Sequence, residues 1–156
     1  MHSTDDNGIT IKLADENATL ACAQRLAALI KPGLVVYLRG ELGAGKTTMV
    51  RGILNALGYV GRVKSPTYTL LEIYTIGNLQ LRHFDLYRLK NPEEWEGAGF
   101  DDEFNAENIL LIEWPEQAQG YVPAPDIEVR FEILSEGRDV NIVALSKLGE
   151  QCLTQL

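Results

Sequence analysis

Cysteine and histidine are scarce in this chain. Among its 156 residues only Cys22, Cys152, His2 and His83 offer a thiol or an imidazole. The cysteines form no C-x-x-C pair, and so small a set cannot assemble a structural zinc cluster. Both cysteines are expected to act as small apolar residues in a reducing cytosol. A run of 18 apolar residues is also missing, and the opening Met1-His2-Ser3-Thr4-Asp5-Asp6 is polar and acidic. Neither a membrane span nor an ordinary signal peptide is therefore expected, and a cytoplasmic location is. Basic stretches are absent as well: 14 Lys and Arg stand against 22 Asp and Glu, a net charge of -8. A protein that binds nucleic acid by itself usually carries a basic surface, so any nucleic acid is expected to be held by a partner. With no repeat, low-complexity tract or linker, the chain reads as a flexible terminus (residues 1–8) and one domain (residues 9–156).

What is present is concentrated in Gly40-Glu41-Leu42-Gly43-Ala44-Gly45-Lys46-Thr47, which fills every fixed position of the phosphate-loop pattern G-x-x-x-x-G-K-[ST]. The apolar run Leu34–Leu38 before it reads as a buried strand. After it, Met49, Val50, Ile53, Leu54 and Leu57 recur at helical spacing up to a stop at Gly58. Strand, glycine loop and helix is the context the motif requires. Glycines allow a tight turn that presents backbone N–H groups to phosphate oxygens, and the helix begins at its positive end. Lys46 is suited to the β- and γ-phosphates and the Thr47 hydroxyl to magnesium. A nucleoside triphosphate is the expected ligand. Arg51, Arg62 and Lys64 flank this region, either as a local positive spot or as solvated surface.

The rest of the chain alternates strands and helices. Ile9, Ile11 and Leu13 suggest a short strand, and Asp15 can cap a helix to about Ile30. Tyr68–Ile76 and Leu79–Tyr87 read as strands joined by a Gly77-Asn78 hairpin turn. Asn91-Pro92-Glu93-Glu94 has the signature of a helix start, for a short helix ending near Gly97 or Gly99. Ile109–Ile112 reads as a central strand leading into Glu113-Trp114-Pro115. Ile127–Ile133 and Val140–Leu145 form a second hairpin, and a terminal helix can follow. The fold class is α/β: a three-layer P-loop NTPase fold whose mixed parallel and antiparallel sheet carries hairpin insertions.

Hydrolysis needs a magnesium carboxylate and a group that orients water. Asp85 and Glu113 both stand where a strand ends, the edge at which open α/β sheets bind ligands. Asp85 is taken as the magnesium-side acid, through water if not directly, and Glu113 as the water-orienting group; the reverse assignment stays open. Thr67, in Ser65-Pro66-Thr67, is placed to sense a γ-phosphate or simply opens a strand. Trp114 stacks near the base, faces a partner, or is a half-buried aromatic. Arg51 and Arg88 serve either as charge-stabilising groups near the phosphates or, the favoured reading, in surface ion pairs, and packing or an interface is expected for Trp95.

Four blocks together resemble the TsaE (YjeE) family of small bacterial ATPases: Gly40–Thr48, Lys64-Ser-Pro-Thr-Tyr-Thr-Leu70, His83-Phe-Asp-Leu-Tyr-Arg-Leu89 and Leu111-Ile-Glu-Trp-Pro115. Their order and spacing follow the family from about Ile9 to Leu145. The resemblance implies a magnesium-dependent ATPase, weak alone, that docks on TsaB–TsaD and supports threonylcarbamoylation of adenosine in tRNA. Nucleotide contacts would lie along Gly40–Thr48, with Lys46 and Thr47 in the phosphate and magnesium roles. Thr67 and Asp85 would take switch-like roles, and Glu113 with Trp114 a site needed for hydrolysis. A small-molecule kinase and a nucleotide-gated regulatory module remain alternatives, although no lid insertion is evident. The guanine-reading N-K-x-D is absent, which favours ATP over GTP.

Overall fold

Alternation along one strand sets up two cores. In β2 (Val35–Arg39), Val36 and Leu38 face one side of the sheet while Val35 and Tyr37 face the other. Period-two geometry makes this separation wherever a strand is buried on both faces. The same division recurs in β5 (Asn108–Glu113): Ile109 and Leu111 join the first core, Leu110 and Ile112 the second. The computed structural model describes residues 8–156. The expected flexible terminus lies outside the described residues except for Gly8, which instead pairs with Val143.

Seven strands form one sheet, with β1 (Gly8–Leu13), β3 (Leu71–Ile76), β4 (Leu79–Asp85), β6 (Ile127–Ile133) and β7 (Arg138–Ala144) completing it. Their spatial order is β1-β7-β6-β2-β5-β4-β3. The four central strands β6, β2, β5 and β4 run parallel; β1, β7 and β3 are added antiparallel at the margins. Each hairpin thus gives one strand to the parallel centre and one to an antiparallel margin, in line with the mixed-sheet expectation. The consequence is functional. The carboxyl ends of β2, β4 and β5 lie side by side, bringing the loop after Arg39 next to Asp85 and Glu113.

The first core lies under α1 (Glu16–Ala27) and α2 (Lys46–Ala56), with Cys152 of α4 (Lys147–Leu153) at its margin. Asp15 caps α1 by accepting a 2.9 Å bond from the Ala18 N–H. The two helices approach closely at Gly52, where a Cβ would stand 2.6 Å from that of Ala23. Cys22 and Cys152 are both buried and unbridged, and burial pushes the Cys22 thiol up.

The second core is aromatic. Phe84, Trp95 and Phe100 stack with centroids 4.8–5.3 Å apart beneath α3 (Glu94–Gly97), and Trp95 donates to Asp101 at 2.8 Å. Such ring pairs contribute about 0.5–1.5 kcal/mol each beyond their buried area. Trp95 is fully buried, so packing is its role. Helices on both faces complete three layers.

Several element ends differ from expectation, each for a local reason. α1 stops at Ala27 because Leu29 and Ile30 bond back to Leu26 and Ala27 in tighter turns before Lys31-Pro32-Gly33. β3 starts at Leu71, not Tyr68, since Leu70 bonds to the Pro66 carbonyl and turns left-handed at φ 68. β4 ends at Asp85 rather than Tyr87. Asn91 does not cap α3, which begins at Glu94. Instead the Glu94 carboxylate accepts from the Lys90 and Asn91 N–H groups, both at 2.7 Å, which holds its carboxyl below the usual range. Among the described residues no helix is long and apolar enough to cross a membrane.

Candidate functional site

The chain leaving β2 at Gly40 curls back before α2 begins, with Gly45 as the last residue outside the helix. Gly40 has φ +151, and a Cβ there would lie 2.9 Å from the Cβ of Phe131. Only glycine fits without displacing β6. Gly43 and Gly45 also take positive φ, while Ala44 is buried and Glu41 and Leu42 are exposed at the loop's tip. No side chain caps α2. The first amides of any helix lack a carbonyl partner inside it, so this N-terminus presents donors and positive potential to whatever lies in the loop.

Lys46 is 4% exposed although it carries a charge. Its ammonium donates to the Gly40 carbonyl and lies 3.8 Å from the centre of the Trp114 ring. Burial holds its pKa below the ordinary lysine value, against the opposing pull of Glu113 and then Asp85. Cation–π contact of this kind is favourable when desolvated. Trp114 reaches this position because it adopts φ 59, ψ 47 at the end of β5, an uncommon conformation for a bulky residue. Its ring also packs on Tyr87, with centroids 5.0 Å apart.

Glu113 is the acid nearest the loop. Thr47 Oγ1 donates toward its carboxylate at 3.2 and 3.1 Å, and His83 Nε2 lies 2.6 Å from Oε2. Asp85 stands beside it, paired in register across β4 and β5. The Tyr87 N–H donates to Asp85 at 3.1 Å, and Thr67 lies 3.4 Å away while also bonding Ser65 at 2.8 Å. Burial, and then the charge of Glu113, raise the Asp85 carboxyl above its usual range. Raised carboxyls inside a cleft are characteristic of working sites.

These side chains enclose one space. A cavity of about 260 Å³ is lined by Lys46, Thr47, Thr67, Asp85, Glu113 and Trp114 together with the glycine loop. The structure therefore brings together candidates drawn from four separate stretches of sequence. A second cavity, about 280 Å³, opens on the other side of the loop between Gly43–Gly45, Thr48 and the start of α1. Trp114 does not line it. Among the described residues no group of three or more His, Cys, Asp or Glu side chains gathers to hold a metal. The oxygen set of Thr47, Glu113 and Asp85 instead suits magnesium, which retains waters and borrows phosphate oxygens.

Two residues at this site escape a sequence reading. His83 is visible only as an alternating position of a strand, with no local sign that it faces Glu113. Arg138, the first residue of β7, donates to the Gly43 carbonyl at 3.1 Å across 95 residues of sequence. Arg88 lies over the exposed Tyr68 ring at 4.4 Å, where an ion pair was expected, and Arg51, Arg62 and Lys64 are solvent-exposed.

Comparison with known proteins agrees with this architecture. The sequence model of the family "Threonylcarbamoyl adenosine biosynthesis protein TsaE" matches residues 13–140. The tRNA threonylcarbamoyladenosine biosynthesis protein TsaE of Haemophilus influenzae is 42% identical over 151 residues, covering 94% of this chain and 96% of that protein. The Bacillus subtilis protein of the same name is 35% identical over 139 residues, covering 88% and 87%. The crystal structure of Bacillus subtilis YdiB superposes with a TM-score of 0.80 at 28% identity, covering 95% of this chain and 93% of that one. The fold is that of the phosphate-loop NTPases, and by sequence match over most of its length the chain belongs to the TsaE family.

Proposed function

We propose that this chain binds ATP with magnesium and hydrolyses it, as a subunit serving threonylcarbamoyladenosine biosynthesis on tRNA in the cytoplasm. The observation that carries the reading is the contact between Thr47 and Glu113 at the N-terminus of α2. It sets the loop that would hold phosphates against a buried acid at a strand end.

On binding, Lys46 would exchange the Gly40 carbonyl for phosphate oxygens, which are better partners for an ammonium. Thr47 would likewise turn its hydroxyl from Glu113 toward the metal. Thr47 and Asp85 would hold a magnesium ion, which would supply charge neutralisation at the phosphates. Asp85 would hold the metal's water shell, and Glu113 would accept a hydrogen bond from the attacking water. Thr67 closes the cavity from the segment before β3. The nucleoside end would extend past Thr48 toward the second cavity.

Partners enter through the family. An acidic chain of net charge -8 is poorly suited to grip tRNA by itself, so TsaB and TsaD are proposed to carry it. The test is ATP hydrolysis by the purified chain, alone and with TsaB–TsaD, with Lys46→Ala and Glu113→Ala as controls. A weak rate that rises with the partners and collapses in both variants is expected. Binding without turnover under any condition would leave a nucleotide-gated module, and phosphate transfer to a small acceptor would make the chain a kinase.

A further inference from the structure

We propose that His83 is the positioning residue of Glu113, holding its carboxylate in the orientation hydrolysis needs; this role rests on the ATPase reading above. His83 lies on β4 and points to the α2 side of the sheet, the side on which Glu113 leaves β5. Both side chains are removed from solvent, at 0% and 2% exposure, and the nitrogen–oxygen distance is 2.6 Å.

A carboxylate only accepts, so the facing Nε2 carries the hydrogen. Among the described residues Nδ1 has no partner, so the one side-chain bond this ring makes is the one to Glu113. Burying an imidazole with one nitrogen unsatisfied opposes folding, and an apolar side chain would pack there without that cost. Packing does not explain the residue; the bond to Glu113 does.

What the bond accomplishes follows from the second partner. Apart from His83, the Glu113 carboxylate is held by the Thr47 hydroxyl. Once Thr47 turns to a ligand, His83 is the donor that remains. It holds Oε2 from behind and leaves Oε1 directed into the cavity. Without it the carboxylate is free to swing toward the Lys46 ammonium, an electrostatic trap in a site of low dielectric.

The test compares wild type with His83→Leu (similar volume, no donor), His83→Gln (an amide donor near Nε2), Glu113→Gln and the His83→Leu/Glu113→Gln double variant. Turnover, ATP affinity and thermal melting are measured on each. Expected is a fall in kcat of about 10- to 100-fold for His83→Leu with ATP affinity retained, the size seen when ligand-orienting residues are lost. His83→Gln should recover most of the rate, and His83→Leu should remove nothing further on the Glu113→Gln background. The ring nitrogens give a readout independent of turnover. With His2 removed as His2→Gln, the imidazole ¹⁵N spectrum of His83 should change on Glu113→Gln, as the 2.6 Å contact between Nε2 and the carboxylate requires. Equal losses in Leu and Gln, additive losses in the double variant, or an imidazole spectrum indifferent to Glu113→Gln would overturn the role. Should His83→Leu not fold, His83→Gln and the imidazole spectrum decide. A wild type that binds ATP and never turns it over would overturn the hydrolysis reading and this role with it. A wild type that turns over beside an unimpaired His83→Leu would overturn this role alone.

Discussion

The glycine loop and the acid edge face each other across one cavity, and they are built on opposite energetic terms. In the loop, left-handed backbone falls on Gly40, Gly43 and Gly45, where it carries little steric penalty. Phe131 backs it and Arg138 ties its tip. On the acid edge the left-handed residue is Trp114, whose indole covers the desolvated Lys46 of the loop, and two carboxylates are buried side by side. The loop is a rigid cradle formed cheaply. The acid edge is stressed in the free chain, and ligand is what would relieve it. Such sites cost stability and are retained for chemistry.

The sharpest way to separate the two regions is to remove one charged group from each. Lys46→Ala and Glu113→Gln should both depress ATP hydrolysis by at least about 100-fold, the scale of a positioned general base or phosphate donor. A coupled assay with an enzyme-free background sets the floor. Full activity in Glu113→Gln would move the chemistry elsewhere.

The next contrast concerns stability. Gly40→Ala should destabilise the fold by about 1–3 kcal/mol, because its Cβ meets Phe131 and its φ is strained. Urea denaturation should show a lower midpoint at unchanged slope. Asp85→Asn should move the other way. Because burial and Glu113 raise the Asp85 pKa, the folded chain binds that proton more tightly than the unfolded chain does. Stability from this group is fully present below the unfolded carboxyl value, near pH 4, and is lost as pH rises through the raised value. The nucleotide-free Asp85→Asn protein should thus melt above wild type at pH 7, and the gap should close toward pH 4. A variant that melts lower at pH 7 would mean Asp85 is a structural acid.

The smallest effect is expected at Thr67. Its contact to Asp85 is long at 3.4 Å and its shorter bond is to exposed Ser65. Thr67→Val should shift the stability of the free chain by no more than about 0.5 kcal/mol. A drop in turnover without a stability change would assign it to the bound state.

The same contrast explains what the sequence made legible. The loop is local: its glycines, Lys46 and Thr47 are adjacent, and one pattern with its flanking strand and helix suffices to locate it. The ends of β4 and β5 were legible as places where acids stop a hydrophobic alternation. Their meeting with Thr47 is a product of strand order, which places β5 between β2 and β4. His83 and Arg138 could not be read, because each works through a partner distant in sequence. The Asn91 signature placed the helix start early: the Glu94 N–H bonds the Asn91 main-chain carbonyl, the Glu94 carboxylate accepts from the Lys90 and Asn91 N–H groups, and α3 begins only at Glu94. Trp114, for which stacking near the base, a partner surface and a half-buried aromatic were all open, is a half-buried ring lining the acid-side cavity over Lys46. A left-handed tryptophan leaves no mark in composition or periodicity.

The division of labour between cradle and acid edge is tested most directly by calorimetric titration of ATP with magnesium into Glu113→Gln and Lys46→Ala. The account expects Glu113→Gln to bind with near wild-type affinity while failing to turn over, and Lys46→Ala to lose binding. Loss of binding in Glu113→Gln with retention in Lys46→Ala would contradict it.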